Sequence, residues 1–364
     1  MGLNFNLCFK EKSMFPIIYY DTNSQNNHNP NFGSLECGER IKIDISVYEK
    51  KGLKIVCPII KPVYLEICKK IHSDNPIFQY ILSKPFKKNI LQKIIGIDPS
   101  SMKQRNCHGC TMHLTQNICP ICGTKKSGNN FFEFAYMLDP NIIDSDTTYI
   151  THTSYNAICS AISLVCQMVE NKNNGFAIIR PPGHHASNNK SEGFCLVNNV
   201  AVCAEYAQQL GRKKIFIFDC DAHHGNGTQN IFYSTNKVFY CSVHTSEAYP
   251  KTGMENEKGV GEGEGFNLNI IVPKGINSND YVEIFSKKVL PVIINYGPDL
   301  ILVSAGFDGL ETDPMKLMKL TPGCYGKITS QLVKLNKQVC MVLEGGYDIE
   351  NIPKCIEFCI NELI

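Results

Sequence analysis

Apolar residues in this chain gather into short unbroken runs, and several of these runs end on polar, chemically loaded segments. Phe176-Ala177-Ile178-Ile179 leads into Arg180-Pro181-Pro182-Gly183-His184-His185. Ile215-Phe216-Ile217-Phe218 leads into Asp219-Cys220-Asp221-Ala222-His223-His224. The run from Val238 to Val243 stops at His244, Leu300 to Val303 runs into Ser304-Ala305-Gly306-Phe307-Asp308, and Val339 to Leu343 into Glu344-Gly345-Gly346-Tyr347. Near-continuous apolar strands are buried on both faces, which predicts a parallel sheet. Between them, apolar positions at helical spacing predict helices over 155–170, 198–210 (stopped by Gly211), 280–296 and 322–336, the last entered through the cap-and-proline pair Thr321-Pro322. Alternating strands and helices predict a three-layer α/β/α fold with a central, mainly parallel sheet. Ile17–Tyr20 is expected as an edge strand and 41–91 as short helices with loops. The pattern breaks over about 84–143. The segment Gly259 to Gly265 reads as a flexible turn, because it lacks the strand-to-helix setting of a dinucleotide loop.

Parallel sheets of this kind bind ligands beyond the carboxyl ends of their strands, where all of these loaded segments fall. Alternate residues of a strand share a face. Asp219, Asp221 and His223 are therefore expected to converge, and such a cluster of buried ionisable groups is costly unless it holds a metal. A hydrolytic zinc site needs about three protein ligands and an open position; Asp221, His223 and Asp308 are the candidates. The tandem His184 and His185, fixed after a Pro-Pro-Gly turn, are candidates for moving the proton of the attacking water. Asp219 and Asn226 are available to set the tautomer and basicity of these imidazoles. Tyr347, on a Gly-Gly turn, can donate a hydrogen bond to a developing oxyanion.

Composition narrows the function classes. With 364 residues the chain can bury a large core. A formal net charge of +2 supplies no basic field for non-specific nucleic-acid binding. No signal peptide or membrane-spanning apolar run is apparent, so the expectation is an intracellular protein with most of its 18 cysteines reduced. Four cysteines stand apart: Cys107, Cys110, Cys119 and Cys122 form a Cys-x2-Cys…Cys-x2-Cys pattern suited to a closed tetrahedral structural zinc, with His108 or His113 able to replace one thiolate. This predicts a zinc-knuckle insertion over 104–126 that pins a long insertion near the site rim.

Together the segments Arg180-Pro-Pro-Gly-His-His-Ala186, Gly193-Phe-Cys-Leu-Val-Asn-Asn199, Asp219 through Gln229, Ser304-Ala-Gly-Phe-Asp308 and Glu344-Gly-Gly-Tyr347 resemble the zinc-dependent histone deacetylase family. They occur in family order over about residues 15–360, and Asn226 with the Glu-Gly-Gly-Tyr form is similar to the class II branch. The resemblance implies an arginase/deacetylase-like catalytic domain over 15–360. It implies Zn²⁺ on Asp221, His223 and Asp308, with zinc-bound water as nucleophile. His185 would be the general base and acid, oriented by Asn226; His184 would be its electrostatic partner, paired with Asp219. Tyr347 would polarise the acetyl carbonyl. It further implies a lysine channel walled by Phe194 and Tyr249 beside Gly193, Met315 at the rim where Leu is common, and a structural potassium site on main-chain oxygens of Asp219, Asp221 and His223 with Ser242. The rim aspartate that grips the substrate backbone is Asp144 or Asp146. Cys220 stands where the family has Trp or Leu, and the segment after His244 is shorter than usual.

The expected activity is hydrolysis of N6-acetyl-lysine in histones or other proteins, with corepressor-type protein partners, a role in chromatin and transcription regulation, and residence in the nucleus or cytoplasm. The alternatives are an acetylpolyamine or other small-amide amidohydrolase and an inactive scaffold that recruits partners through the zinc knuckle. Neither direct sequence-specific nucleic-acid binding nor a membrane is expected. A two-manganese ureohydrolase would need a second set of carboxylate ligands that this sequence lacks.

Overall fold

The structure, a computed structural model, describes residues 16–21, 35–82, 148, 150, 153–246 and 248–364. The expected zinc-knuckle cysteines Cys107, Cys110, Cys119 and Cys122, and both rim candidates Asp144 and Asp146, lie outside the described residues.

Eight strands form one sheet among the described residues: β1 Ile17–Tyr20, β2 Lys54–Val56, β3 Gly175–Ile178, β4 Ile215–Asp219, β5 Val238–His244, β6 Asn267–Ile271, β7 Leu300–Ala305 and β8 Gln338–Leu343. Their order is β2-β1-β3-β8-β7-β4-β5-β6, and each pairing is parallel. Side chains alternate across it as the strand period demands. Phe216 and Phe218 of β4 enter one buried cluster with Phe176, Ile301, Val303 and Met341. Ile215 and Ile217 enter the other with Ala177, Leu300, Leu302 and Cys340. Two separate cores, one on each face, are the physical content of the three-layer expectation.

The helices divide between these faces. α1 (Ile45–Lys50), α7 (Ser278–Ile284), α8 (Leu290–Tyr296), α9 (Pro322–Val333) and α10 (Ile352–Leu363) bury apolar residues in the first core. α2 (Pro62–Ile71), α3 (Pro76–Leu82), α4 (Ser154–Glu170) and α5 (Asn199–Gln209) do so in the second. The short α6 (Asn226–Phe232) follows β4. Asn198 caps α5 by accepting from the Ala201 N–H at 2.9 Å, and Gly211, at φ 92°, follows its end.

Several expectations need correction. β1 is not an edge strand: the three-residue β2 pairs with it on the outside. β6, with Asn267 and Asn269 facing inward, was not expected, and its polar inward positions explain why an apolar-run criterion passes over it. The helix expected over 280–296 begins at Ser278 and widens into a π stretch over Phe285–Val289 before α8. Pro291 has no N–H to give to Lys287, and its ring crowds that carbonyl, so a wider turn ahead of it relieves both. Thr321 precedes α9 without a side-chain cap bond; its hydroxyl instead lies 3.1 Å from Ser278 Oγ.

Candidate metal centre and active site

The exits of β4 and β7 bring Asp221, His223 and Asp308 together. One possible ligand atom from each lies within 4.8 Å of the others, and all three residues are buried. His223 Nδ1 is 3.0 Å from Asp221 Oδ1 and 2.7 Å from Asp308 Oδ2. Main-chain donors fix the carboxylates: Ala222 N–H donates to Asp308 Oδ1 (2.8 Å), and Gly345 N–H to Asp221 Oδ2 (2.9 Å). Glycine is required beside them. A Cβ on Gly306 would fall 2.0 Å from Asp221 Oδ2, and one on Gly345 2.5 Å from the same atom. Burial would lower His223, but Asp308 and Asp221 outweigh it and hold the imidazole well above its ordinary value. Burial and the neighbouring Asp221 raise Asp308. Two buried carboxylates and an imidazole with ligand atoms this close are a donor set that fits a divalent cation, which takes histidine in its neutral form.

His184 and His185 stand beside this cluster, ring centroids 4.0 Å apart, with His185 6.0 Å from His223. The turn that carries them is bound from below by Glu344, whose Oε2 accepts from the Gly183 (2.6 Å) and His184 (3.1 Å) N–H groups. Burial raises Glu344 to about 7. His184 Nδ1 lies 3.1 Å from Asp219 Oδ2, which also accepts from the Tyr240 hydroxyl at 2.9 Å. Burial would lower His184, but Asp221 and Asp219 more than reverse it and push the imidazole up to about 10. His185 Nδ1 meets Asn226 Oδ1 at 2.8 Å; burial, then the His184 and His223 charges, hold it well below its ordinary value.

The two aromatic residues expected at the channel, Tyr249 and Phe194, pack against His185 and Tyr347 respectively. Tyr249 packs edge-on against His185 at 5.0 Å, and a Cβ on Gly193 would fall 2.3 Å from His185 Cδ2. Phe194 meets Tyr347 edge-on at 5.7 Å. Met315 is half-buried, one turn from Tyr347 through Asp313, whose Oδ1 accepts from Met315 N–H (2.9 Å) and Oδ2 from Tyr347 N–H (2.7 Å). Burial raises the Tyr347 phenol well above its ordinary value, so it stays a donor at neutral pH. Ser242 is the register partner of Asp219 across β4 and β5, and its hydroxyl lies 2.8 Å from His244 Nδ1.

Sequence reasoning missed the buried ionic support behind the site. Arg40 lies 5.1 Å from the Tyr347 ring centroid. Its Nε donates to Gly346 O at 2.6 Å, and another of its nitrogens donates to Glu344 O. Glu36 accepts from both Arg40 (3.2 Å) and Arg180 (2.8 and 2.5 Å), all three side chains fully buried. Glu192 was missed too: its Oε1 accepts from Asn226 Nδ2 at 2.6 Å. Arg40 and Glu36 lie outside the loaded strand exits, and their contacts to the Glu344 loop and Arg180 are distant in sequence. No local pattern signals them. Glu344 and Arg180 stand at the polar strand exits, which was the available signal.

Comparison with known proteins gives one consistent picture. The histone deacetylase domain family matches residues 75–363. The chain is 41% identical to "Histone deacetylase 9" of Homo sapiens over 238 residues, which is 61% of this chain and 24% of that protein. It is 44% identical to "Histone deacetylase 15" of Arabidopsis thaliana over 196 residues, 52% of this chain and 36% of that protein. The chain thus spans only about a quarter to a third of these relatives' length. Among solved structures, the "Crystal Structure of HDA15 HD domain" superposes with a TM-score of 0.73 at 26% identity, covering 96% of this chain and 88% of that one. The parallel sheet with helices on both faces is therefore the arginase/deacetylase-like α/β fold.

Proposed function

The chain belongs to the histone deacetylase family, and from that premise we propose that it is a zinc-dependent deacetylase hydrolysing N6-acetyl-lysine in histones or other proteins. The observation that carries the reading is the buried Asp221, His223 and Asp308 cluster set directly against the His184–His185 pair. Those three residues would hold the zinc ion, which supplies Lewis acidity toward a carbonyl oxygen and lowers the pKa of water. His185, neutral and hydrogen-bonded to Asn226, takes a proton from the attacking water and returns it to the leaving amine. His184, held cationic by Asp219 and Asp221, places fixed positive charge beside the developing oxyanion. The Tyr347 hydroxyl donates to that oxyanion. Phe194, Gly193 and Tyr249 enclose the acetyl-lysine stem, with Met315 at the mouth.

The reading extends to potassium on Asp219, Asp221, His223 and Ser242, to a second zinc on the four knuckle cysteines, and to nuclear or cytoplasmic residence with acetylated protein substrates. Among the described residues no helix is long and apolar enough to cross a membrane.

The test is acetate release from acetyl-lysine peptides, with acetylated polyamine in parallel. Peptide turnover that a chelator abolishes and zinc restores is expected. Polyamine-only turnover would assign a small-amide hydrolase instead, and folded, zinc-loaded protein silent on both substrates would sink the deacetylase reading.

A further inference from the structure

Glu192 precedes the Gly-Phe-Cys segment, and its side chain reaches the proton-transfer machinery. The residue is 8% exposed. Oε1 accepts from Asn226 Nδ2 at 2.6 Å, and Oε2 accepts from Lys190 Nζ at 2.6 Å. Asn226 Oδ1 in turn lies 2.8 Å from His185 Nδ1. A tight turn holds Glu192 in place: Cys195 N–H donates to Glu192 O at 2.9 Å, with Gly193 at φ 55° and Phe194 at φ 67° between them. Positive φ is uncommon for a residue like phenylalanine. Here Phe194 N–H is held by Thr148 Oγ1 at 3.1 Å. One turn thus presents Phe194 on one side and the Glu192 carboxylate to Asn226 on the other.

Donor and acceptor counting gives this chain a direction. A carboxylate only accepts, so the side of Asn226 that faces Glu192 is its NH2 group. That leaves Oδ1 for His185. An amide oxygen also only accepts, so His185 Nδ1 carries the hydrogen and Nε2 keeps the lone pair. Nothing in the shape of an amide enforces this order. Turned over, Asn226 would offer NH2 to Nδ1 and place the imidazole hydrogen on Nε2. An aspartate at 226 could not fail in that way; an asparagine needs an external acceptor.

We infer that Glu192, anchored by Lys190, is a positioning residue that locks the Asn226 amide and, through it, the His185 tautomer whose Nε2 can accept a proton. The inference rests on the assignment of proton transfer to His185, and the experiment separates the two.

Glu192→Gln is the informative variant. Gln has one oxygen, while Lys190 and Asn226 each require an acceptor. Histidine-selective ¹⁵N NMR, with His185 assigned by its loss in His185→Gln, reads the tautomer directly and needs no turnover. The Nδ1–H form is expected in the unmodified protein and a mixture in Glu192→Gln, with kcat on an acetyl-lysine peptide about tenfold lower and KM unchanged. Lys190→Met added to Glu192→Gln frees the Gln oxygen and should restore both. In an Asn226→Asp background the sign reverses: Glu192 then opposes a carboxylate, and Glu192→Gln raises kcat about tenfold over Asn226→Asp alone. Should Glu192→Gln alone not fold, that second background carries the test. An unchanged tautomer, or the same fold-change in both backgrounds, overturns the inference. A tautomer shift in a protein with no turnover supports the lock and removes the deacetylase reading.

Discussion

The two flanks of the site, one around His184 and one around His185, are built from the same residue type in adjacent positions and reach opposite electrostatic states. Both side chains are buried, and burial pushes both imidazoles toward neutrality. His184 meets Asp219 at 3.1 Å and Asp221 at 3.7 Å and is pushed up to about 10. His185 meets a neutral amide at 2.8 Å, with His184 and His223 adding like charge, and is held well below its ordinary value. The sign of the nearest charges decides the outcome, because desolvation is common to both. The carboxylate on the His185 flank, Glu192, stands one residue further out, behind Asn226. It can orient the imidazole without pairing with it.

Three changes test the contrast. The largest effect is expected from His185→Ala, which removes the base proposed above and should lower kcat about 10²–10⁴-fold. If that variant keeps its turnover while His184→Ala is silent, the roles of the flanks are reversed. Next, Asp219→Asn removes the hydrogen-bonded carboxylate of His184, leaves Asp221 and Glu344 to favour its charged form, and should lower its pKa. Activity falls about 10–100-fold, and the pH at which the His184 ¹⁵N signal leaves the imidazolium pattern falls with it; an unchanged midpoint would show that Asp219 adds nothing to the charge that Asp221 holds. The smallest effect on the two imidazoles is expected at Asp313, a buried carboxyl away from both, raised by burial to about 7. Its folded pKa lies above its unfolded one, so the folded state binds the extra proton. The associated stability is present at low pH and lost as pH rises from about 4 through about 7, at up to about 1.4 kcal/mol per pH unit. Asp313→Asn should flatten the fall in melting temperature between pH 5 and 8, and an unchanged slope would assign it to another group.

The strand exits were legible because parallel strands must be apolar on both faces, so polarity begins where the strand stops. That rule located Asp219, Asp308, Glu344 and the two histidines. It failed at β6, where Asn267 and Asn269 are buried: Gln229 Oε1 and the carbonyls of Glu257 and Met254 accept from their amide groups. It also failed at β2, whose three residues are too few to show a period. Thr321 does stand at the N-cap with proline after it, but its hydroxyl meets Ser278, 43 residues away in sequence, so no side-chain cap bond forms. Cys220 shows a milder case: it is buried, and its thiol donates to Ser304 O at 3.4 Å.

By itself the sequence determined which residue types stand at the ends of the buried strands, and hence the ligand candidates and the imidazole pair. Apolar continuity and spacing are local properties, readable without a fold. Only the tertiary structure decided which groups would be charged. Arg40 reaches the Glu344 loop across more than 300 residues of chain, Glu36 joins it to Arg180, and Glu192 faces Asn226 from a separate turn. Electrostatic state depends on neighbours within a few ångströms in space, and distance along the chain carries almost none of that information.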